Sequence, residues 1–345
     1  SLALNSSPNA DVSSLFTELD FLTDEARATQ ALDELSSKVY LDAAKASLDF
    51  QKDMNDELVF DLYSKDIFKD DEWISTIYTF GTYNSVREDK DFSSYKSYGG
   101  GVNAKVTKSF NDTLDLGFNL ILNASNYDFK RNTATLKSRG AYLGAFANVD
   151  LNNLFIFASL RAGMQNDSMN RVLNINTFSD TFKSSYNAFT TSELLGLGTN
   201  FNLSETFTLA PLAYIEHNSL STPSIKEQGE TSSLNIDKNT YHSLSSFLGL
   251  KLSYDKDFAN GYGLGLSLLG GYNHFFLDNL DNEASFVNAS NVKFSSKNYV
   301  KDKDSLRVQS AIDFTHDNFY SRVLFQSDIK RNIDFSTRLE YGIRF

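Results

Sequence analysis

From Trp73 to the carboxyl end, apolar and polar side chains alternate in runs separated by short polar segments. A period of two marks β-strands whose two faces meet different surroundings. In the last run Ile333, Phe335, Thr337, Leu339, Tyr341, Ile343 and Phe345 share one parity, and Asp334, Ser336, Arg338, Glu340, Gly342 and Arg344 the other. The pattern predicts twelve strands, at 73–88, 94–110, 113–130, 134–149, 154–169, 186–203, 206–218, 240–255, 261–277, 304–315, 319–330 and 333–345. Leu114, Leu116, Phe118, Leu120 and Leu122 oppose Asp115, Gly117, Asn119, Ile121 and Asn123. Leu244, Leu248, Leu250, Leu252 and Tyr254 oppose Ser245, Gly249, Lys251, Ser253 and Asp255, and Tyr262, Leu264, Leu266 and Leu268 oppose Gly263, Gly265 and Ser267. The parity of the first and fourth strands is ambiguous.

Most of these runs exceed the five or six residues usual in soluble sheets and meet the roughly 9–11 needed to cross a bilayer at a tilt. The connections also follow a rule. After even-numbered strands they are short, as at Asn111-Asp112, Ser204-Glu205 and His316-Asp317-Asn318. After the fifth, seventh and ninth they are long and polar, near 170–185, 219–239 and 278–303. Short turns at one rim and long loops at the other distinguish a membrane barrel from a soluble sandwich. The expected fold is an all-β membrane protein: a 12-stranded antiparallel transmembrane β-barrel, residues 67–345, with an N-terminal α-helix in its lumen.

The helix is expected within 24–66, capped by Thr23 or Asp24, as one long helix or two in succession. Leu32, Leu35, Val39, Ala43, Ala46 and Phe50 recur at spacings of three and four, and no Gly or Pro interrupts the stretch from Thr23 to Lys65. Its other side is charged, with Asp33, Glu34, Lys38, Asp42, Lys45, Asp49, Lys52 and Asp53. Residues 1–23 are polar and read as a linker or the remnant of something larger.

Composition narrows the function. The chain of 345 residues has no Cys, which removes disulfides, thiolate metal sites and thiol nucleophiles. A net charge of −12, with no clustered Lys and Arg, speaks against nucleic acid as a partner. No apolar run of 18 or more residues could form a membrane helix, whereas a mean hydropathy of −0.33 is compatible with strands that alternate. Ser1 to Asn9 show neither a basic start nor an apolar core, so Ser1 reads as an interior cut point, with any secretory signal removed or further upstream.

The order of parts, amphipathic helix, twelve strands and terminal aromatic, resembles the translocator domain of autotransporters, the type V secretion proteins. Local similarities are Gln30 to Tyr40 (QALDELSSKVY), Leu209 to Tyr214 (LAPLAY) and the closing LEYGIRF. The resemblance implies an outer-membrane barrel that assists secretion of its own N-terminal passenger to the cell surface. It also implies a monomer without cofactor or enzymatic activity, set in the lipid bilayer and delivered by the barrel-assembly machinery. Leu339, Tyr341, Ile343 and Phe345 would form the signal that machinery reads. Arg307, Arg322, Asp334, Arg338, Glu340 and Arg344 would face the lumen, offering partners to the helix, and Gly263, Gly265 and Gly342 would give its apolar stripe room. Some family members cut the passenger within the pore at an Asn-Asn bond. Here Asn152-Asn153 is the only such pair, and it falls in a predicted turn.

Two other readings use the same residues. One is a pore or adhesin plugged by its N-terminal helix; the other is an outer-membrane hydrolase built on His274 and Asp278. The four His, at 217, 242, 274 and 316, stand near different strand ends, and no G-x-S-x-G, H-E-x-x-H or phosphate-binding loop occurs. Gly99-Gly100-Gly101 is expected to mark a bend or a close helix contact. Trp73, with Tyr78 and Tyr83, is expected in an interfacial aromatic girdle.

Overall fold

Lipid offers no partners to backbone N–H and C=O groups, so a strand that crosses it must be paired on both edges. That condition governs the architecture. The structure, a computed structural model, describes residues 17–62, 73–88, 92–110, 113–130, 133–151, 154–229, 232–258, 261–277, 280–299, 303–330 and 333–344. Twelve long strands form the wall: β1 (Trp73–Val86), β2 (Tyr95–Phe110), β3 (Leu114–Phe129), β4 (Ala134–Leu151), β5 (Leu154–Ile175) and β6 (Phe178–Thr199), then β7 (Phe207–Thr222), β8 (Asn239–Asp257), β9 (Tyr262–Leu277), β10 (Asp304–His316), β11 (Phe319–Ile329) and β12 (Ile333–Arg344). Each pairs antiparallel with its sequence neighbours, and β1 pairs with β12 from Thr76 opposite Arg344 to Ser85 opposite Phe335, which closes the barrel.

The outward face through the middle of the wall is apolar, with Leu143, Leu160, Leu195, Leu248, Leu268 and Leu339 all exposed. Neighbouring positions point inward and are polar or aromatic. Several inward glycines make space for rings on the next strand. A Cβ on Gly117 would collide with the Phe146 ring, one on Gly196 with Phe157, and one on Gly101 with the Leu122 carbonyl and the Phe80 ring. The glycines expected to make room for the helix do something similar. Gly342 lies against Tyr78 and Tyr320, and Gly263 and Gly265 against Thr315 and Asp313 of the adjoining strand. Tyr78 also departs from expectation: it points inward and is buried, while Trp73 and Tyr83 remain on the outer face.

The long connections hold more structure than the sequence suggested. Residues 170–185 form no loop; β5 and β6 run on for 22 residues each and turn at Asn176-Thr177, where Asn176 adopts a φ of 50°. At about 3.3 Å per residue each of these strands spans about 70 Å, far beyond the roughly 25 Å apolar band of a membrane barrel. The projecting part reverses its parity: Leu173, Ile175 and Phe182 are buried inward, while Asn174, Thr181 and Lys183 face out. With solvent outside and the N-terminal segment inside, the apolar face belongs inward, so the stretch lacks the membrane pattern. The connections near 219–239 and 278–303 contribute Ile225–Lys226, Leu234–Ile236, Leu280–Phe286 and Ala289–Asn298, which pair into a four-stranded sheet at the loop end of the barrel.

Beyond a helical turn at 17–20, the described residues before the wall form α1 (Glu25–Leu35) and α2 (Lys38–Leu62). Ser36 and Ser37 separate them: the Ser36 hydroxyl donates to the Asp33 carbonyl (2.7 Å) and accepts from the Lys38 amide (3.3 Å), ending one helix and capping the next. The break resets the helical phase, so the expected apolar stripe is not continuous. Leu32 is 63% exposed, and Leu35 packs with Ala31, Leu173, Ile175 and Phe182 against the projecting β5–β6 hairpin. Val39, Ala43, Ala46 and Phe50 belong to α2 and are buried inside the barrel.

Candidate functional site: the occupied lumen

At about 1.5 Å per residue, the 25 residues of α2 measure about 37 Å, enough to traverse the barrel. The helix is enclosed on every side, since polar Asp42, Ser47, Lys52, Asn55, Asp56 and Glu57 are buried along with Val39, Leu41 and Phe60. Buried polar groups must be hydrogen-bonded and buried charges paired. The wall meets these demands for most of the helix, the Gln51 side-chain amide excepted, in three tiers.

At the loop end the helix's own contacts are mostly to neutral groups, beside an ion pair between wall and loop, Arg171 with Glu227. The Ser37 hydroxyl lies 2.6 Å from Asn282 Oδ1 and 2.9 Å from Ser296 Oγ, both in the surface sheet. Asp42 accepts from the Ser93 amide at 3.0 Å and from Asn298 at 3.3 Å. Tyr40 donates to Glu227 (3.0 Å), which also receives two bonds from Arg171, at 2.9 and 2.6 Å. A further Arg171 nitrogen donates to the Glu34 carbonyl at 2.6 Å, satisfying an end group of α1. Around these contacts Val39, Leu41, Ala43 and Leu48 pack with Tyr127, Phe129, Leu136, Leu234 and Ile236.

Midway, charge enters. Lys52 pairs with Glu216 of β7, and Asn55 donates to Glu216 and Ser192, each at 2.9 Å. Arg161 of β5 donates to the Asn55 side chain (2.6 Å) and to the Gln51 carbonyl (3.0 Å). Asp56 is held by Arg307 of β10 and by the Tyr214 hydroxyl at 2.5 Å, and Arg307 is fixed in turn by a bidentate pair with Asp328, at 2.8 and 2.9 Å. Phe50 and Met54 fill the opposite side among Tyr78, Phe80, Ile121 and Tyr142.

The tier at the turn end is mostly ionic. Glu57 pairs with Arg338 of β12 at 2.7 Å and accepts from the Tyr78 hydroxyl. Asp61 is bridged by Arg322 of β11 and by Lys105 of β2 at 3.1 Å. Arg338 also pairs with Glu340 at 2.7 Å. Lys251 donates to the Phe60 carbonyl at 2.9 Å, placing a cation where the last turn of a helix presents unpaired carbonyls and the negative end of its dipole.

Of the residues expected in the lumen, Arg307, Arg322, Arg338 and Glu340 are therefore buried beside α2 or its partners. Asp334 sits at the loop rim, where it accepts from the Arg87 amide at 2.8 Å, and Arg344 sits at the turn rim, where its amide donates to Asn318 at 2.8 Å. Leu339 and Tyr341 are exposed outward and Ile343 is half-buried, while Phe345 lies outside the described residues. His274 meets Asp304 at 2.6 Å, and Asp278, the partner expected for it, lies outside the described residues; His217 meets Glu193 at 2.6 Å. The described residues contain no cluster of His, Asp and Glu suited to a metal ion. Arg161, Lys251, Glu216 and Glu227 went unpredicted. Their inward parity was readable, but the loop that carries Glu227 gave no sign that it folds over the pore.

A closed, lipid-facing barrel whose pore is filled by its own N-terminal helix defines a class of outer-membrane transport protein. The Autotransporter beta-domain family matches residues 73–321, most of the chain, and the chain belongs to that family. It is thus an autotransporter translocator domain of the bacterial outer membrane. Among solved structures, the translocator domain of the autotransporter NalP from Neisseria meningitidis superposes with a TM-score of 0.69 at 14% identity, over 90% of this chain and 100% of that one. The beta domain of the Bordetella autotransporter BrkA gives 0.57 at 13% identity, over 79% and 100%. The transport unit of AIDA-I from Escherichia coli gives 0.50 at 10%, over 88% and 98%. At such identities the likeness is one of fold. No curated protein sequence matches the chain.

Proposed function

We propose that the chain is held here in the state that follows export, with α2 as the tether between a passenger at the cell surface and the first strand of the barrel. The observation that carries this reading is the direction of α2. Its start, at Ser37, is bonded to the loop-end sheet, and its last turn is anchored by Lys251, Lys105 and Arg322 at the turn end. With the loop end outside the cell, the chain before α2 emerges outside. Glu18 continues that path, accepting from Thr177 while its carbonyl accepts from Asn176 (3.1 Å) at the tip of the β5–β6 hairpin.

In this account the barrel is a monomer without catalytic chemistry, and its work is to admit the exported chain and then seal behind it. Val39, Ala43, Ala46 and Phe50 pack the plug, and Arg307, Arg322 and Arg338 hold its register. Leu339, Tyr341, Ile343 and Phe345 form the signal read by the assembly machinery. Protease protection on whole cells tests the topology, with one epitope tag ahead of Ser1 and another in the 278–303 region. Cleavage of both from outside, with the barrel resistant, is the expected result. Cleavage of the second tag alone leaves the N-terminus in the periplasm and refutes the tether. Conductance in planar bilayers should rise when residues 24–66 are deleted, and an unchanged conductance would count against the plug.

A further inference from the structure

The reversal of parity seen in β5 and β6 also occurs in β4, and it locates the edge of the apolar band. On the outward face, Leu143 and Ala141 give way to Arg139, Lys137 and Thr135 toward the loop end, while the inward face changes from Tyr142 to Leu136 and Ala134. The register continues the step across the sheet. Ala141 stands beside Met164 and, beyond it, Phe189; the next outward row is Arg139, Asn166 and Asn187, and the one after is Lys137, Ser168 and Ser185. Asn170 and Lys183 pair one row further on. The outward neighbours of Lys137 and Arg139 on β3 are Asn126 and Ala124, so no carboxylate stands directly beside either cation.

The rest of the circumference differs. Toward the loop end the outward His217 faces Glu193 at 2.6 Å, and His274 faces Asp304 at 2.6 Å. Lys96 lies opposite Asp128 across the β2–β3 pair. Lys137 and Arg139 thus stand together on β4 without a carboxylate directly opposite, where the apolar rows end, and Asn166 and Asn187 extend polar amides next to them, bonded to each other at 2.9 Å. Lys137 and Arg139 stand two residues apart on one strand, about 7 Å, which suits two cations reaching one phosphate group.

We infer that Lys137 and Arg139, with Asn166 and Asn187 beside them and Lys183 at the margin, seat the phosphate of an outer-leaflet bilayer lipid whose acyl chains lie on Leu143, Met164 and Phe189. Charge complementarity selects the headgroup, and the adjoining apolar rows select a lipid over a soluble anion. The site lies on the outside of the wall and depends only on the barrel's place in the outer membrane, not on the tether proposed for α2.

Native mass spectrometry of the folded chain in detergent, with bis-phosphorylated lipid A as probe, tests the site. The wild type is expected to retain the lipid, and K137Q/R139Q to retain it more weakly by roughly fivefold for each charge removed. The charge-conserving K137R/R139K should bind as the wild type does, and so should K96Q, whose cation already faces Asp128. Heat-dependent gel mobility reports whether each variant is folded, and these exposed positions bear little on the core. Equal retention by K137Q/R139Q, equal retention of lipid A stripped of its phosphates, or an equal loss in K96Q would each overturn the assignment.

Discussion

The two ends of α2 are held by different physics. From the middle of the helix to the turn end Asp56, Glu57 and Asp61 each meet an arginine from a different wall strand, and Lys251 closes the last turn. At the loop end Ser37 and Asp42 are bonded to neutral side chains and an amide, and Tyr40 to Ser184 and to Glu227, whose charge Arg171 balances, within an apolar cluster that includes the surface sheet. Ion pairs shielded from water add little net stability but penalise every wrong register heavily, because a displaced helix would strand several charges at once. Apolar packing is more tolerant of small shifts. The contrast indicates that the turn end sets where the helix stops and the loop end closes over whatever position results.

The sharpest way to break this contrast is Arg307→Met. It takes the guanidinium from Asp328 and leaves Asp56 with Tyr214 and a 3.6 Å contact with Lys52, and the loss of one partner from a buried pair should cost about 3–5 kcal/mol in urea unfolding of the micellar protein. Replacing Arg338 by Met should behave alike through Glu57 and Glu340. If either variant unfolds at the wild-type midpoint, the ionic tier has no role in holding the helix. A smaller effect is expected above it. Tyr40→Phe removes bonds to Glu227 and Ser184 and keeps the ring packed, so the cost should be about 1–2 kcal/mol. A loss as large as that of Arg307→Met would erase the distinction between the two ends.

How far this could be read from the chain depended on whether a residue's surroundings were uniform along its strand. Where a strand lies wholly in the bilayer, as Leu339 and Tyr341 flanking Glu340 do, one parity stays apolar and strand, face and inward arginine follow from spacing. Where a strand leaves the bilayer, the parity inverts, and the strands through Leu173 and Phe182 looked like a polar loop. The plug was harder. A helix buried on all sides by a polar lumen has no single apolar stripe, so spacing alone joins Leu32 to Val39 although Ser36 and Ser37 break the helix between them. Glu227 and Asn282 reach the helix from connections whose pairing depends on residues about 50 positions apart, a contact that no local pattern encodes.

The least effect is expected in the surface sheet itself, and that expectation separates the sheet's packing from its charges. Lys293 reaches Asp237 at 2.5 Å and Glu283 at 3.6 Å, linking two segments of the lid. The hydrogen bond to Asp237, with the charge it carries, raises Lys293 above the ordinary lysine value. A raised lysine contributes stability that is present below its unfolded pKa of about 10.4 and lost as pH rises through the folded value, so any contribution is constant across the neutral range. The pair is solvent-exposed, and such pairs are screened and offset by side-chain ordering. Lys293→Ala should therefore leave the urea midpoint and the bilayer conductance of the intact chain unchanged between pH 6 and 9. Leu234→Ala, which opens space in the apolar cluster beneath the same sheet, should raise conductance by loosening the lid. If instead Lys293→Ala opens the pore and Leu234→Ala does not, the surface sheet is fastened by its exposed charges rather than by its packing, and the contrast drawn between the two ends fails.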